Sequence, residues 1–342
     1  MAAVTTPTTP TPEPITVVIP AHAPSAALRE CLHALSSCVP PPERVILVLD
    51  GTSWPEGGLP FVADSVEVVA LGRQAGAAAA RNAGWRRAVG TWVVFIDSDV
   101  AVPGDFMNRL QETMSCLTGV DAFFGSYDAN PRAPGLFSRY RNLLHHFTHQ
   151  TGNEHASTFW TGCGAVKRAA LERVGGFDEK VDFMEDIELG MRLLRNGSKI
   201  TLVKSLQVTH LKRWRLRDIW LTDVRRRALP WSRILIQAGE TSRDLNLSPR
   251  SRFSGVLAVA GTLLITLTPV SPFLGLAGIL SLGLLVAMNA RFYAFLARTG
   301  GGAALLPGIF FHYLYFLLSS ITFAFALVEA AIRRKKIFFG PL

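Results

Sequence analysis

From Phe253 to Val328 the sequence is almost wholly apolar, in three stretches, roughly Phe253–Val270, Phe273–Met288 and Ala303–Val328. No other feature limits the fold as much, because a backbone placed in lipid must satisfy its own polar groups and a helix does so within one segment. The last stretch holds no Lys, Arg, Asp or Glu and is long enough to span a hydrocarbon core of about 30 Å. The first two are near the lower length limit and are separated by Pro269-Val270-Ser271-Pro272, which predicts a tight helical hairpin. About three transmembrane helices are expected over 253–330, followed by a basic C-terminal tail, 331–342.

Charge points the same way. The net charge is +9, and Lys204–Arg252 alone holds twelve Lys and Arg against four Asp and Glu. Basic residues beside a transmembrane segment mark the cytoplasmic side and attract anionic lipid. No aromatic-interleaved RNA module or recognition-helix pattern accompanies them, so membrane lipid and not nucleic acid is the expected partner. The expected location is a multi-pass membrane protein with its soluble part on the cytoplasmic side. Three crossings would place Arg333-Arg334-Lys335-Lys336 outside, against the positive-inside tendency, and only an even number returns that tail to the cytosol. Cys31, Cys38, Cys116 and Cys163 show no Cys-x-x-Cys pair and fit reduced thiols in a cytosolic domain. Residues 1–14, rich in Thr and Pro, have neither a positive n-region nor an apolar h-region and read as a disordered tail.

The preceding part, 15–211, alternates strand and helix signals. Ile15–Pro20, Arg44–Leu49, Val66–Ala70, Thr91–Ile96, Ala122–Gly125 and Ile200–Thr209 are short and β-rich, whereas Ala26–Ser36, Ala75–Val89 and Asp105–Leu117 carry helical periodicity. Repeated strand, crossover helix and strand imply an α/β fold with a mainly parallel sheet covered on both faces. Asp97-Ser98-Asp99 follows the apolar run Trp92–Ile96 directly. A strand buried on both faces that ends in two carboxylates delivers them to the carboxyl edge of the sheet, where open α/β sheets bind ligands. Two acids one residue apart can share Mg²⁺ or Mn²⁺ and the diphosphate it carries. The competing assignment is that one Asp merely caps the helix starting near Pro103.

Ile19-Pro20-Ala21, Leu49-Asp50-Gly51-Thr52-Ser53, Ala80-Arg81-Asn82-Ala83-Gly84, Asp97-Ser98-Asp99, Thr161-Gly162-Cys163, Gly175-Gly176-Phe177-Asp178-Glu179 and Glu185-Asp186 occur in that order. Together they resemble inverting family 2 glycosyltransferases of the Rossmann-like GT-A fold, over roughly Ile15 to Trp231. The resemblance implies transfer of a sugar from a nucleotide-diphosphate donor, with UDP-sugar as the expected one. It implies that Asp99 binds Mn²⁺ or Mg²⁺ and that Asp97 contacts the ribose or metal-bound water. Pro20, Ala21, Asp50, Arg81 and Ser98 complete the expected donor site, and Gly162 and Cys163 fall on the acceptor or diphosphate side. Leu49 occupies the place where many members have a second Asp, which leaves the base-reading role of Asp50 open.

Glu185 and Asp186 open a segment, Ile187–Arg195, whose Ile187, Met191 and Leu194 share one helical face, and their position after Gly-Gly-Phe-Asp-Glu is what, through the resemblance, implies Asp186 as general base with Glu185 beside it. The alternative is that Asp186 only complements the helix dipole, and a helix terminus would keep its pKa low. His210 ends the last expected strand; the resemblance to the GT-A class implies it as a third metal ligand, imidazole being competent for Mn²⁺, and an ordinary surface histidine is the alternative. His145, His146, His149 and His155 read as part of an acceptor-side or surface helix. In the basic and aromatic segment 212–252, Leu216, Ile219, Trp220 and Val224 can form one stripe among arginines, with Trp214, Trp220 and Trp231 as anchors in the headgroup plane. Membrane-bound polymer synthases of the family carry a Gln/Arg-x-x-Arg-Trp element near here; Arg226-Arg227-Ala228-Leu229-Pro230-Trp231 matches it by half, which places Arg227 and Trp231 near the diphosphate or acceptor without implying processive synthesis.

A membrane-anchored glycosyltransferase with a lipid-borne acceptor is the expected function. A soluble or polysaccharide acceptor, or a non-catalytic subunit of a glycan assembly complex, is the alternative. A transporter is disfavoured, because the apolar stretches contain almost no ionisable residue to mark a path.

Overall fold

The computed structural model describes residues 14–54, 65–239 and 247–339. The expected N-terminal tail, apart from its last residue, lies outside the described residues, as do the last three residues of the basic C-terminal tail.

The strands are β1 (Thr16–Ala21), β2 (Arg44–Asp50), β3 (Val66–Leu71), β4 (Trp92–Ile96), β5 (Val100–Ala101), β6 (Ala122–Tyr127), β7 (Cys163–Lys167) and β8 (Ile200–His210). They form one sheet in the order β3-β2-β1-β4-β7-β6-β8-β5. Pairs β1/β2, β2/β3, β1/β4 and β6/β8 are parallel, and β7 runs antiparallel to both β4 and β6. The sheet is therefore mixed and mainly parallel. Strand β7 is the element the sequence pattern does not announce: Cys163-Gly-Ala-Val-Lys is short, and Gly164 is there because a side chain would meet the Trp160 carbonyl oxygen at 2.4 Å.

The alternation of side chains along the strands builds two cores. Val17, Ile19, Val45, Leu47, Val94 and Ile96 face α1 (Ala26–Ser36) and α3 (Phe106–Cys116). Val18, Val93, Phe95 and Phe124 face the opposite way, toward α2 (Ala77–Trp85), α5 (Arg168–Val174) and α6 (Glu185–Arg195). The alanine-rich α2 lies so close to β1 that a Cβ on Gly84 would be 2.3 Å from Val18 Cγ1. Helix α2 is shorter than the expected Ala75–Val89; the chain leaves it at Trp85 and turns through 86–89 into β4.

Helix α4 (Leu136–Thr151) carries two used faces. His149 packs on Phe124 of the sheet, while Phe137, Tyr140 and Leu143 join a cluster with Phe292, Tyr293 and Leu296. The latter belong to α10 (Ala290–Gly300), which follows α8 (Pro249–Thr266) and α9 (Pro272–Met288) and precedes α11 (Leu305–Phe339). Helices α8 and α9 form the expected hairpin. Their backbones meet at glycines, since a Cβ on Gly278 would be 2.9 Å from the Gly261 carbonyl oxygen, the kind of close approach small residues permit between membrane helices. At 18 and 17 residues each is about 25 Å long. The expectation of about three helices over 253–330 omitted α10, which leaves α9 with a 63° bend. Among the described residues one helix, over Gly302–Arg333, is long and apolar enough by itself to cross a membrane.

The segment expected to carry an interfacial stripe has an irregular backbone. Residues 211–215 have no regular secondary structure, Leu216 is exposed outside any helix, and Ile219–Ala228 is π-helical, so a 3.6-residue period does not hold there. Helix α7 (Leu229–Ala238) continues the rod. Trp214 is half-buried: Arg141 lies over its ring at 4.8 Å and Lys212 at 4.3 Å, and its backbone N–H donates to Ser138 Oγ. The side chain of Trp220 lies outside the described residues.

Candidate active site

Strands β4, β5 and β8 meet at one edge. Strand β4 stops at Ile96, and the Asp97 carbonyl accepts the Val100 N–H in a tight turn that presents Ser98 and Asp99. Strand β5 then pairs Val100 with His210 on β8, so the antiparallel register of a two-residue strand brings His210 to Asp99. His210 Nε2 is 3.6 Å from Asp99 Oδ2. Burial opposes ionisation of Asp99, but the hydrogen bond and charge of His210, with Lys212 behind it, outweigh burial and hold this carboxyl below the usual carboxylate range. Neither Asp97 nor Asp99 caps α3, whose first residue is preceded by Asp105. The capping alternative for this motif is therefore set aside.

Asp97 faces another partner. Arg81, 5% exposed, donates from Nη2 to Asp97 Oδ1 at 2.8 Å and from Nη1 to Glu185 Oε1. One guanidinium thus ties the β4 edge to the first turn of α6. Arg81, expected on the donor side, links two acids here. Its Nε, buried, has no partner in this arrangement.

Asp186 stands next to that link. Its Oδ1 accepts the Ile187 N–H at 2.8 Å, and its Oδ2 lies 3.5 Å from the Thr161 amide nitrogen. Burial first, then the neighbouring Glu185 charge, raises its carboxyl to about 7 despite the pull of Arg81. The expectation that a helix terminus keeps this acid low is corrected here: at this position desolvation and the adjacent carboxylate exceed the dipole. The residue before the pair, Met184, has φ 67, the one non-glycine residue with positive φ among those described. Strained backbone of this kind gathers where surrounding structure fixes a functional turn.

The Gly-Gly-Phe-Asp segment is held by Asn82. Asn82 Oδ1 accepts the Phe177 N–H at 2.9 Å, and Nδ2 donates to the Phe177 carbonyl and to Glu179 Oε1. Gly176 has φ +76, and a Cβ there would be 2.6 Å from Asn82 Oδ1. Phe177 in turn lies under Arg81 at 5.7 Å.

Other expected residues fall into place around this edge. Pro20 and Ala21 end β1 opposite Val48 and Leu49, beside Asp50. Asp50 is buried, and its two oxygens accept the Ala75 and Gly76 N–H groups at 2.6 and 3.0 Å, fixing the entry of α2. Both oxygens therefore already serve the backbone, whatever further partner they take. Gly162 accepts the Asp97 N–H at 3.4 Å, and Cys163 pairs with Ile96. Arg227 is 3.9 Å from Asp223, which Arg141 of α4 meets at 2.7 Å, and its charge reaches Tyr127. Among the described residues no hydrogen bond, ion pair or ring contact joins Trp231 to the acids. All four cysteines are free thiols.

Sequence reasoning passed over Tyr127. It ends β6, stacks flat on His210 at 4.2 Å and 12°, and meets Trp160 edge-on at 4.8 Å. An aromatic residue at the carboxyl end of a buried strand was the available signal. Of the histidines, His145 and His149 are turned inward onto Tyr127, Phe124 and Trp160 and so are not surface residues. His155 lies beyond α4, in a bridge to Thr201. Of the expected ligands Asp97, Asp99 and His210, Asp97 faces Arg81 while Asp99 faces His210, and among the described residues no group of three His, Cys, Asp or Glu is gathered together. Asp99 and His210 remain as a pair.

Residues 16–175 match the family described as Glycosyl transferase family 2. The pre-mycofactocin glycosyltransferase of Mycobacterium tuberculosis, found in two strains, is 28% identical over 230 residues, which are 63% of this chain and 46% of the relative. The chain thus spans about half the length of these curated relatives. Among solved structures, the mannosyltransferase PcManGT of Pyrobaculum calidifontis, in complex with GDP-Man and Mn²⁺, is similar with a TM-score of 0.55 and 17% identity, over 92% of this chain and 88% of that one. That likeness is one of fold.

Proposed function

We propose that this chain, a glycosyltransferase built on a family 2 domain of GT-A-like fold, moves a sugar with inversion from a nucleotide-diphosphate donor to a hydroxyl or phosphate of a lipid-borne acceptor. The observation that carries the proposal is Asp186, a carboxylate raised to about 7 and tied through Glu185 and Arg81 to the edge bearing Asp97 and Asp99. An acceptor hydroxyl is a poor nucleophile until a base takes its proton, and a base works best when its pKa lies near the operating pH. Asp186 is the base in this scheme, and the Thr161 amide and Ile187 amide fix its two oxygens in place. Arg81 keeps Asp97 oriented and holds α6 to the donor edge, so that both substrates are met by one rigid unit.

The donor set at the sheet edge fits a divalent cation of the kind bound by few protein ligands. Mg²⁺ commonly takes one or two carboxylates plus substrate phosphates, and Mn²⁺ accepts imidazole as well. Asp99 and His210 would hold it, and when bound it would neutralise the departing diphosphate. The Mn²⁺ and GDP-Man of the similar mannosyltransferase are in keeping with that donor chemistry. UDP-sugar remains the proposed donor.

Membrane placement is supported by Phe253, Leu263, Phe273, Ile279, Leu280, Phe310 and Phe325, all large and exposed on α8, α9 and α11. Large exposed apolar patches mark membrane or partner interfaces. We place the catalytic domain on the cytoplasmic side, with α8, α9 and α11 as the membrane helices and the exposed Arg213, Arg215, Arg217, Arg225 and Arg226 toward anionic headgroups.

The test uses the full chain in lipid nanodiscs. UDP- and GDP-sugars are screened for nucleoside diphosphate release with Mn²⁺ or Mg²⁺, with and without a lipid extract, and the lipids are then weighed by mass spectrometry. Release that rises with lipid extract and a lipid heavier by one sugar are expected. Release indifferent to lipid, with no glycosylated lipid, refutes the acceptor class. Pre-mycofactocin, the compound in the relative's name, is a second acceptor for the same assay.

A further inference from the structure

Helix α10 leaves α9 after one residue, Asn289, and turns away by 63°. Its inner residues Phe292, Tyr293 and Leu296 are buried in the cluster with α4. Its outer residues Arg291, Ala294, Phe295 and Arg298 follow i, i+3, i+4 and i+7 and so share one face. With Phe147 of α4, this face lines an open groove of about 710 Å³.

The groove has two chemistries. Phe147 and Phe295 give it an apolar floor, in ring contact at 5.5 Å. Arg291 and Arg298, both exposed, give it a cationic rim, and neither α4 nor α10 contains a single Asp or Glu. Helix α9, which leads into α10, exposes the apolar side chains Ile279, Leu280 and Leu284. Arginine is the side chain suited to phosphate oxygens, and cationic pockets beside membrane helices suit anionic headgroups. An acidic protein segment would use the rim and leave the floor bare, and a soluble nucleotide would not need a site at the root of a membrane helix.

We propose that this groove binds an anionic membrane phospholipid, its phosphate on Arg291 and Arg298 and an acyl chain along Phe147 and Phe295. The assignment presupposes the membrane placement proposed above and is independent of which acceptor is glycosylated. The lipid would act on the wall of the catalytic edge. Phe295 stacks on His146 at 5.6 Å and 15°, His146 Nδ1 lies 2.7 Å from the Tyr127 carbonyl oxygen, and Tyr127 stacks on His210.

The full chain in neutral detergent is titrated with dioleoyl phosphatidylglycerol or dioleoyl phosphatidylcholine, and bound lipid is counted by native mass spectrometry. Wild type should retain phosphatidylglycerol in preference to phosphatidylcholine. The double variant Arg291→Gln/Arg298→Gln should lose that preference by roughly tenfold or more. Arg291→Lys/Arg298→Lys, which keeps both charges, should retain most of it, and a glutamine variant that failed to fold would leave this lysine pair and the wild type to decide. Equal binding of the two lipids by wild type, or an unchanged preference in the folded glutamine variant, overturns the proposal. Carbonate washing of membranes separates the two assignments. A chain released by the wash removes the membrane placement, whereas one that stays but shows no lipid preference removes only the groove.

Discussion

The sharpest consequence of the site concerns pH. Asp186 must be ionised to take a proton, and its carboxyl is raised to about 7 by burial and by Glu185. A single group with that value is about one-tenth ionised at pH 6 and about nine-tenths at pH 8, so kcat/KM should fall roughly tenfold for each pH unit below neutrality. The sign for stability is opposite. A folded-state value raised above the unfolded 3.8 stabilises the neutral form, and that contribution is complete below about pH 4 and lost as pH rises through about 7. The penalty above pH 7 is at most on the order of 4 kcal/mol. Asp186→Asn should therefore lower transfer by about 10² or more, leave donor affinity largely intact, abolish the acid limb, and unfold at higher temperature than wild type at pH 8. Initial rates of nucleoside diphosphate release from pH 5 to 9, with thermal unfolding of both proteins at pH 5 and 8, measure all four. A flat wild-type profile, or an acid limb that persists in Asp186→Asn, refutes the reasoning.

Chelation should abolish turnover and added Mn²⁺ or Mg²⁺ restore it, while Asp99→Asn weakens donor and metal binding together in calorimetric titrations; full activity in excess chelator refutes this. Arg81→Met strands two carboxylates beside each other and should destabilise by about 3–5 kcal/mol, whereas Arg81→Lys should keep the fold and lose activity, as read by circular dichroism and rates. Gly176→Ala forces a side chain onto Asn82 at a left-handed position and should lower stability by about 1–3 kcal/mol, with the loss seen in denaturant unfolding at unchanged metal dependence.

The first half of the sheet was legible because β1, β2 and β4 are continuous apolar runs bounded by turn residues, and buried parallel strands must look like that. The acids were legible because each follows such a run or opens a helix. Their partnerships were not. That Asp97 turns to Arg81 while Asp99 turns to His210 depends on the two-residue strand β5 and its register with β8, pairings at a sequence distance that no local pattern encodes. The same holds for Asp186, where the dipole argument is local and the desolvation that outweighs it comes from the packed fold. In the arginine-rich stretch after Lys212 the apolar positions fit a 3.6-residue period, whereas the backbone over Ile219–Ala228 is π-helical and Arg141 meets Asp223 and lies over Trp214, contacts that no local pattern encodes.

Helix α4 sets a distance. It touches the sheet through His149 and the helical region through Phe137, Tyr140 and Leu143, so the acids and α10 are spaced by one layer of rigid packing and not by a tether. In the proposed membrane placement, the acids have a fixed reach above the plane that α10 occupies. Acceptors would then be sorted by how far their reactive oxygen stands from that plane, as a gauge sorts parts by height, before any contact with the sugar itself is made.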